Sequence, residues 1–118
     1  MPKLVHTIEG AMFREHALEE GALRIGRNLD NDIQLDDSAV SGHHAEIIVK
    51  PSQYLEGLYD VWAKDLNSTN GTAVNGQRIK QSLLKHEDVV KIGTHQFKFV
   101  DEETVAAQRT RVLLDPEE

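Results

Sequence analysis

Hydrophobic residues occur along this chain in short segments that alternate with polar residues and end at turn-forming residues. The segment 95–100, His-Gln-Phe-Lys-Phe-Val, has the clearest period of two, and segments 44–49, 58–63 and 89–92 follow the same pattern. This period is typical of strands with one buried face, and β-branched and aromatic residues favour strands. Short strands that recur between turns predict an all-β sandwich or barrel.

Two stretches contain residues that favour helices. Residues 10–20 lack a consistent 3.6-residue hydrophobic stripe, so we expect a strand there, followed by a turn over residues 18–21. The stretch 103–114 is weakly amphipathic, with Val105 and Val112 seven residues apart. A short helix and a disordered segment remain alternatives for this stretch.

The dipeptide Asn-Gly occurs twice, as Asn70-Gly71 and as Asn75-Gly76. Both residue types tolerate a positive φ, so each dipeptide predicts a hairpin turn. The residues between them, 72–74, suffice for one very short strand. This spacing predicts a rigid loop over residues 67–70, beside one end of a sheet.

Composition and charge restrict the class of protein. The chain has 118 residues, no cysteine and a formal net charge of −7. This length predicts one domain, and the lack of cysteine excludes disulfides and thiolate chemistry. The acidic balance argues against a protein that coats nucleic acid or binds anionic membranes. With no long apolar run and no secretory signal in the sequence, we expect a cytoplasmic protein.

The charge is concentrated near the C-terminus. Residues 101–118 contain six acidic residues against Arg109 and Arg111, a balance of −4. The first 100 residues therefore carry only −3. We expect a sandwich domain over residues 1–100 and an acidic C-terminal tail over residues 101–118.

Polar residues collect where the predicted strands end, notably at Gly26-Arg27, at residues 41–44 and at residues 67–72. Loops cluster at the two ends of a sandwich, and binding residues favour loops on a rigid scaffold. Arginine, hydroxyl and asparagine side chains together suit a phosphate group. Neither a Walker-type Gly-Lys-Ser/Thr motif nor Gly-x-Gly-x-x-Gly is present, which excludes nucleotide binding by those routes.

Several blocks of this sequence, in order and with ordinary spacing, closely resemble the forkhead-associated (FHA) domain. The resemblance extends over roughly residues 3–100 and is carried by residues 23–27, 31–35, 40–45, 65–76 and 88–93. It implies an FHA-like β-sandwich of about eleven strands that binds phosphothreonine in partner proteins.

The same resemblance implies roles for individual residues. Arg27 and Ser41 would bind the phosphate oxygens, Thr69 would add a hydroxyl or backbone contact, and Asn70 would hydrogen-bond the main chain of the ligand. A second set would form the architecture of the pocket: Gly26, His44, Gly71, Asn75 and Gly76. Gly42 departs from the family pattern, which commonly has arginine, lysine or asparagine after the pocket serine. This departure predicts weaker binding or a broader peptide preference.

We therefore expect a phosphothreonine-dependent adaptor in Ser/Thr-kinase signalling, with phosphothreonine-containing partners and no cofactor. The alternative is a phosphate-independent structural protein that uses the sandwich for assembly or self-association. Catalysis is not expected, because the spacing of Ser41 and His44 does not produce a catalytic triad. A metal site is not expected either, because adjacent residues such as His43 and His44 point to opposite faces of a strand.

The tail supplies one further hypothesis. Thr104 follows three acidic residues, and Thr110 has a leucine three positions later. Phosphorylation of either threonine would create a ligand for the same or a neighbouring molecule, and hence a route to self-association through the tail.

Overall fold

The computed structural model describes residues 1–107, except for the side chains of Met12 and Phe13. Within this part of the chain, eleven strands form two sheets, which confirms the β-sandwich that the resemblance implies. The strands are β1 (Lys3–Ile8), β2 (Ala11–Ala17), β3 (Gly21–Gly26), β4 (Ile33–Gln34), β5 (Ala45–Pro51), β6 (Tyr59–Asp65), β7 (Thr72–Val74), β8 (Gln77–Ile79), β9 (Gln81–Leu83), β10 (Val89–Ile92) and β11 (His95–Val100). The expected strand within residues 10–20 is β2.

The six-stranded sheet has the order β2-β1-β11-β10-β7-β8, and the five-stranded sheet has the order β4-β3-β5-β6-β9. The neighbouring strands β3 and β4 are parallel, whereas β3 and β5, β5 and β6, and β1 and β11 are antiparallel. Alternate residues of the central strands are buried in one core, including Phe97 and Phe99 of β11 and Ile47 and Val49 of β5. The period of two in the sequence therefore marks the face that each strand buries.

One end of the sandwich gathers the loops that are rich in polar residues. Strand β3 ends there at Gly26, β5 begins at Ala45, β6 ends at Asp65, and β7 begins at Thr72. We call this end of the sandwich the Gly26 end. The β5–β6 connection and the β7–β8 turn lie at the opposite end, because their strands run away from the Gly26 end.

The two Asn-Gly dipeptides have different structures. Asn75 and Gly76 have φ values of 51° and 85° and close the β7–β8 hairpin, as predicted. The hairpin predicted at Asn70-Gly71 is wrong, because the preceding strand β6 and the following strand β7 belong to different sheets. Gly71 alone of that pair has a positive φ, 89°, and it ends a loop that crosses from one sheet to the other.

The chain after β11 forms a short helix over residues 102–107. The amide of Asp101 donates to Nδ1 of His86 at 3.0 Å, and the N-terminal amine of Met1 pairs with Glu103 at 2.5 Å. The hydroxyl oxygen of Thr104 is buried and has no hydrogen-bond partner within residues 1–107. Thr110 and the rest of the tail lie outside the described residues. Within residues 1–107, no helix is long and apolar enough to span a membrane.

Histidines are part of the core of the six-stranded sheet. His6 of β1 is 2% exposed, stacks on Phe97 with ring centroids 4.3 Å apart, and lies 2.8 Å from His95 between ring nitrogens. Burial, together with smaller contributions from repulsion by His95, His16 and Arg14, lowers the pKa of His6 from 6.5 to about 4. His6 is therefore neutral in the folded protein at pH 7.

Candidate functional site

Arg27 directly follows β3, and hydrogen bonds fix its backbone. Its amide donates to the carbonyl oxygen of Ser41 at 3.0 Å, and its own carbonyl accepts from Nε2 of Gln34 at 3.2 Å. The side chain of Arg27 is exposed, and within residues 1–107 its guanidinium makes no hydrogen bond or ion pair. A fixed backbone thus carries an unpaired cation at the Gly26 end.

Gly26 permits the close contact that positions Arg27. A Cβ atom at this position would overlap the backbone carbonyl oxygen of Gly42 and would lie 2.8 Å from Nδ2 of Asn31. Asn31 holds the same carbonyl, since its Nδ2 donates to Gly42 O at 2.7 Å and to Asn28 O at 2.9 Å. No role for Asn31 was predicted from the sequence, although asparagine in a loop commonly hydrogen-bonds nearby backbone.

Ser41 joins the loop before β5 to the loop between β6 and β7. Its Oγ accepts a hydrogen bond from the amide of Thr69 at 3.0 Å. Because that bond uses Oγ as an acceptor, the hydroxyl proton of Ser41 is still available to donate. The backbone amide of Thr69 is already used by this bond, so of the two contacts predicted for Thr69 only the hydroxyl remains available.

His44 is fully buried and hydrogen-bonds both loops. The amide of Ser41 donates to its Nδ1 at 3.0 Å, so the ring proton of the neutral imidazole is on Nε2. That Nε2 lies 2.8 Å from the carbonyl oxygen of Gly71 and donates to it. His44 therefore connects the loop that contains Ser41 to the β6–β7 loop, while the neighbouring His43 is exposed.

A second set of hydrogen bonds, centred on Asp65 at the end of β6, orders the β6–β7 loop. Ser68 Oγ accepts from the amide of Gly71 at 2.9 Å and donates to Oδ1 of Asp65 at 2.5 Å. Thr72 Oγ1 donates to the same carboxylate at 2.7 Å. Burial raises the pKa of Asp65, but the hydrogen bonds from Ser68 and Thr72 outweigh burial and hold it below its usual range. The roles of Asp65 and Ser68 were not predicted from the sequence, although both are typical turn residues.

Asn70 extends this connection between loops. Its Nδ2 donates to the carbonyl oxygen of Ala39 at 2.9 Å, while Thr69 and Asn70 remain exposed. One N–H and the side-chain oxygen of Asn70 make no further bond within the described residues. The structure therefore brings Arg27, Ser41, Thr69 and Asn70 together at the Gly26 end, with Gly26, His44 and Gly71 beneath them.

Asn75 and Gly76 lie elsewhere, which corrects the expectation that they form part of the pocket. Asn75 Oδ1 accepts from the amide of Val89 at 2.9 Å, and its Nδ2 donates to Asp88 at 2.8 Å. Strand β7 runs away from the Gly26 end, so its hairpin with β8 is at the opposite end. Both residues shape that hairpin, and the sequence alone did not reveal the direction of β7.

An acidic residue also lies near the site, and His43 pairs with it. Nε2 of His43 is 3.0 Å from both carboxylate oxygens of Asp30. This hydrogen bond is the main cause that lowers the pKa of Asp30. Among the described residues, no group of three or more His, Cys, Asp or Glu residues is arranged to hold a metal ion.

Comparisons with known proteins agree on one family. The family model described as FHA domain matches residues 23–93. The ABC transporter ATP-binding/permease protein Rv1747 of Mycobacterium tuberculosis is 40% identical over 98 residues, which are 83% of this chain and 10% of that protein. The chain thus spans a small part of this curated relative.

Solved structures are similar as well. The FhaA FHA domain, determined in complex with the intracellular domain of Rv3910, has a TM-score of 0.69 and 31% identity, over 84% of this chain and 99% of that chain. Mycobacterium tuberculosis EmbR, determined in complex with a low affinity phosphopeptide, has a TM-score of 0.69 and 36% identity, over 84% of this chain and 24% of that chain.

Proposed function

The chain belongs to the forkhead-associated (FHA) domain family, and on this basis we propose that it is a phosphothreonine-dependent protein-binding module that acts as an adaptor in Ser/Thr-kinase signalling. The observation that carries the proposal is the unpaired Arg27 guanidinium on a backbone fixed to Ser41. A planar guanidinium binds two oxygens of a phosphate at once. Related proteins support the proposal, since EmbR has been solved with a phosphopeptide.

Three polar side chains complete the proposed site. The hydroxyl of Ser41 donates to the phosphate, because its oxygen already accepts from the amide of Thr69. The hydroxyl of Thr69 adds a second neutral donor. Asn70 hydrogen-bonds the ligand main chain beside the phosphothreonine with the amide atoms that Ala39 does not use. Together these contacts bind the phosphate and set the direction of the peptide.

The net charge of −7 does not oppose this function, because a phosphate responds mainly to the charges within a few ångströms of it. A phosphothreonine carries about −1.5 to −2 charges at pH 7. Arg27 supplies the complementary charge, and His43 pairs with Asp30, an acidic residue of the β3–β4 loop. The electrostatic field at the site is therefore not set by the net charge of the whole chain.

The module acts by binding alone and performs no chemistry on its ligand. FhaA gives a parallel, since its FHA domain was solved with the intracellular domain of another protein. By analogy, the partner of this chain is a protein that a Ser/Thr kinase has phosphorylated, and binding takes place in the cytoplasm, where kinases have ATP.

The proposal is tested with an oriented peptide library that carries phosphothreonine, with phosphoserine and unphosphorylated libraries as controls. We expect selective capture of the phosphothreonine library by the parent protein and a loss of capture with Arg27→Ala. Arg14→Ala is the matched control, because it removes the same charge from an exposed position on β2, away from the loops. Equal capture of all three libraries would instead support the phosphate-independent assembly protein.

A further inference from the structure

The side chain of Asn28, the residue after Arg27, lies against Gly42. A Cβ atom at position 42 would be 2.8 Å from Nδ2 of Asn28, 2.9 Å from its Oδ1 and 3.0 Å from its Cγ. The carboxamide of Asn28 therefore occupies the space that a side chain at position 42 would enter.

The backbone does not require glycine at position 42. Its φ is not among the positive values of the chain, in contrast to Gly71 and Gly76, so an L residue could adopt this conformation without strain. A side chain at this position would instead have to displace the carboxamide of Asn28. Gly42 and Asn28 thus form a complementary pair.

The backbone of Asn28 is fixed, whereas its side chain has no hydrogen-bond partner within residues 1–107. The amide of Asn28 donates to Gly42 O at 3.1 Å, and its carbonyl accepts from Nδ2 of Asn31 at 2.9 Å. The carboxamide is exposed and makes no hydrogen bond within the described residues. Asn28 follows Arg27 in the sequence, and its carboxamide lies against Gly42, the residue after Ser41. The carboxamide is therefore at the rim of the proposed site.

The chemistry of a carboxamide indicates which part of a ligand it would contact. A carboxamide has both donors and an acceptor, as has a main-chain peptide group, whereas a phosphate has only acceptors. Resting on the proposed function, we infer that Asn28 is a further ligand-binding residue, whose carboxamide hydrogen-bonds a main-chain peptide group of the phosphopeptide beside Gly42.

The inference predicts a particular pattern of affinities for one phosphothreonine peptide, measured by titration calorimetry. Asn28→Ala weakens binding about fivefold, as expected for the loss of one neutral hydrogen bond. Gly42→Ala weakens it to a similar extent, because the new Cβ displaces the carboxamide, whose end can rotate away without unfolding the loop. The double variant binds no more weakly than Asn28→Ala, because both substitutions remove the same contact.

Gln53→Ala is the matched control, since it removes an exposed carboxamide from the β5–β6 connection at the opposite end of the sandwich. Its affinity should equal that of the parent. Inorganic phosphate serves as a second probe, followed through the amide resonances of the protein. Asn28→Ala should leave its affinity unchanged, because the ion has no main chain to contact.

Three results would overturn the inference while the proposed function stands. The first is an Asn28→Ala protein that binds the peptide as tightly as the parent although Arg27→Ala has lost binding, and the second is a double variant whose loss of affinity is the sum of the two single losses. The third is an Asn28→Ala protein whose affinity for inorganic phosphate falls as much as its affinity for the peptide. Failure of the parent protein to prefer the phosphorylated peptide would overturn the proposed function and this inference together.

Discussion

Replacement of His44 by alanine tests the connection between the loops of the site. His44 accepts a hydrogen bond from the amide of Ser41 at 3.0 Å and donates one to the carbonyl of Gly71 at 2.8 Å. The ring is 0% exposed, so water cannot replace either bond without entering the core. His44→Ala therefore leaves a donor and an acceptor unpaired and creates a cavity.

The expected loss of stability follows from these contacts. An unpaired buried polar group costs about 1–3 kcal/mol, and the lost packing adds to this. We expect His44→Ala to lower the free energy of unfolding by about 3–5 kcal/mol. His44→Asn should lose less, about 1–3 kcal/mol, because its Oδ1 can still accept from the amide of Ser41 while the bond to Gly71 is lost.

Urea denaturation, followed by the fluorescence of Trp62, measures these changes, and titration with a phosphothreonine peptide at low temperature measures affinity. We expect His44→Ala to weaken binding at least tenfold under conditions in which it is folded, since Ser41 and the β6–β7 loop are no longer held together. His43→Ala, an exposed neighbour, should change stability by less than about 1 kcal/mol. A His44→Ala protein that binds as tightly as the parent would refute the reasoning.

Three further substitutions have expected outcomes. Gly26→Ala should lower the free energy of unfolding by about 2–3 kcal/mol, because its Cβ would overlap the Gly42 carbonyl; an unchanged urea midpoint would contradict this. Asp65 has a lowered pKa, so it stabilises the fold above its unfolded pKa of about 4, and this contribution is lost as pH falls through the folded value. Asp65→Asn should therefore be less stable than the parent at pH 7, with a difference that narrows below pH 4 in urea titrations. For His6, the unfolded chain binds more protons than the folded one between pH 6.5 and about 4, so stability falls as pH falls through that window, by up to about 3 kcal/mol. His6→Phe should flatten this dependence, and an identical slope in both proteins would argue against His6 as its source.

The sequence predicted the parts of this protein that depend on local patterns. The period of two marked the buried faces of β5 and β11, and the irregular spacing of residues 10–20 indicated the strand β2. The resemblance to the FHA domain, carried by the ordered loop motifs, implied that Arg27 and Ser41 belong to one site, and the amide of Arg27 donates to the carbonyl oxygen of Ser41. A pattern within a strand or loop carries this information because backbone geometry fixes which residues share a face.

Features that depend on relations between distant segments could not be predicted. Asn75-Gly76 formed the expected hairpin, but this hairpin lies at the end of the sandwich opposite the proposed pocket. The direction of β7, which decides this, depends on its pairing with β10. The contact between Asn28 and Gly42 requires two loops fourteen residues apart to be packed together. The hydroxyl of Thr104 is buried, so a kinase could reach it only if this segment moved, and its phosphorylation stays a prediction. Phosphorylation of Thr110, which lies outside the described residues, also stays a prediction.

The most direct test of the proposed site is to map the amide resonances of the protein during titration with a short phosphothreonine peptide. We expect shifts that are concentrated at the Gly26 end, at Arg27, Ser41, Thr69 and Asn70, and absent with the unphosphorylated peptide. Residues of the opposite end, such as Asn75 and Gly76, should not move. Shifts centred on the β7–β8 hairpin, or equal shifts with both peptides, would contradict it.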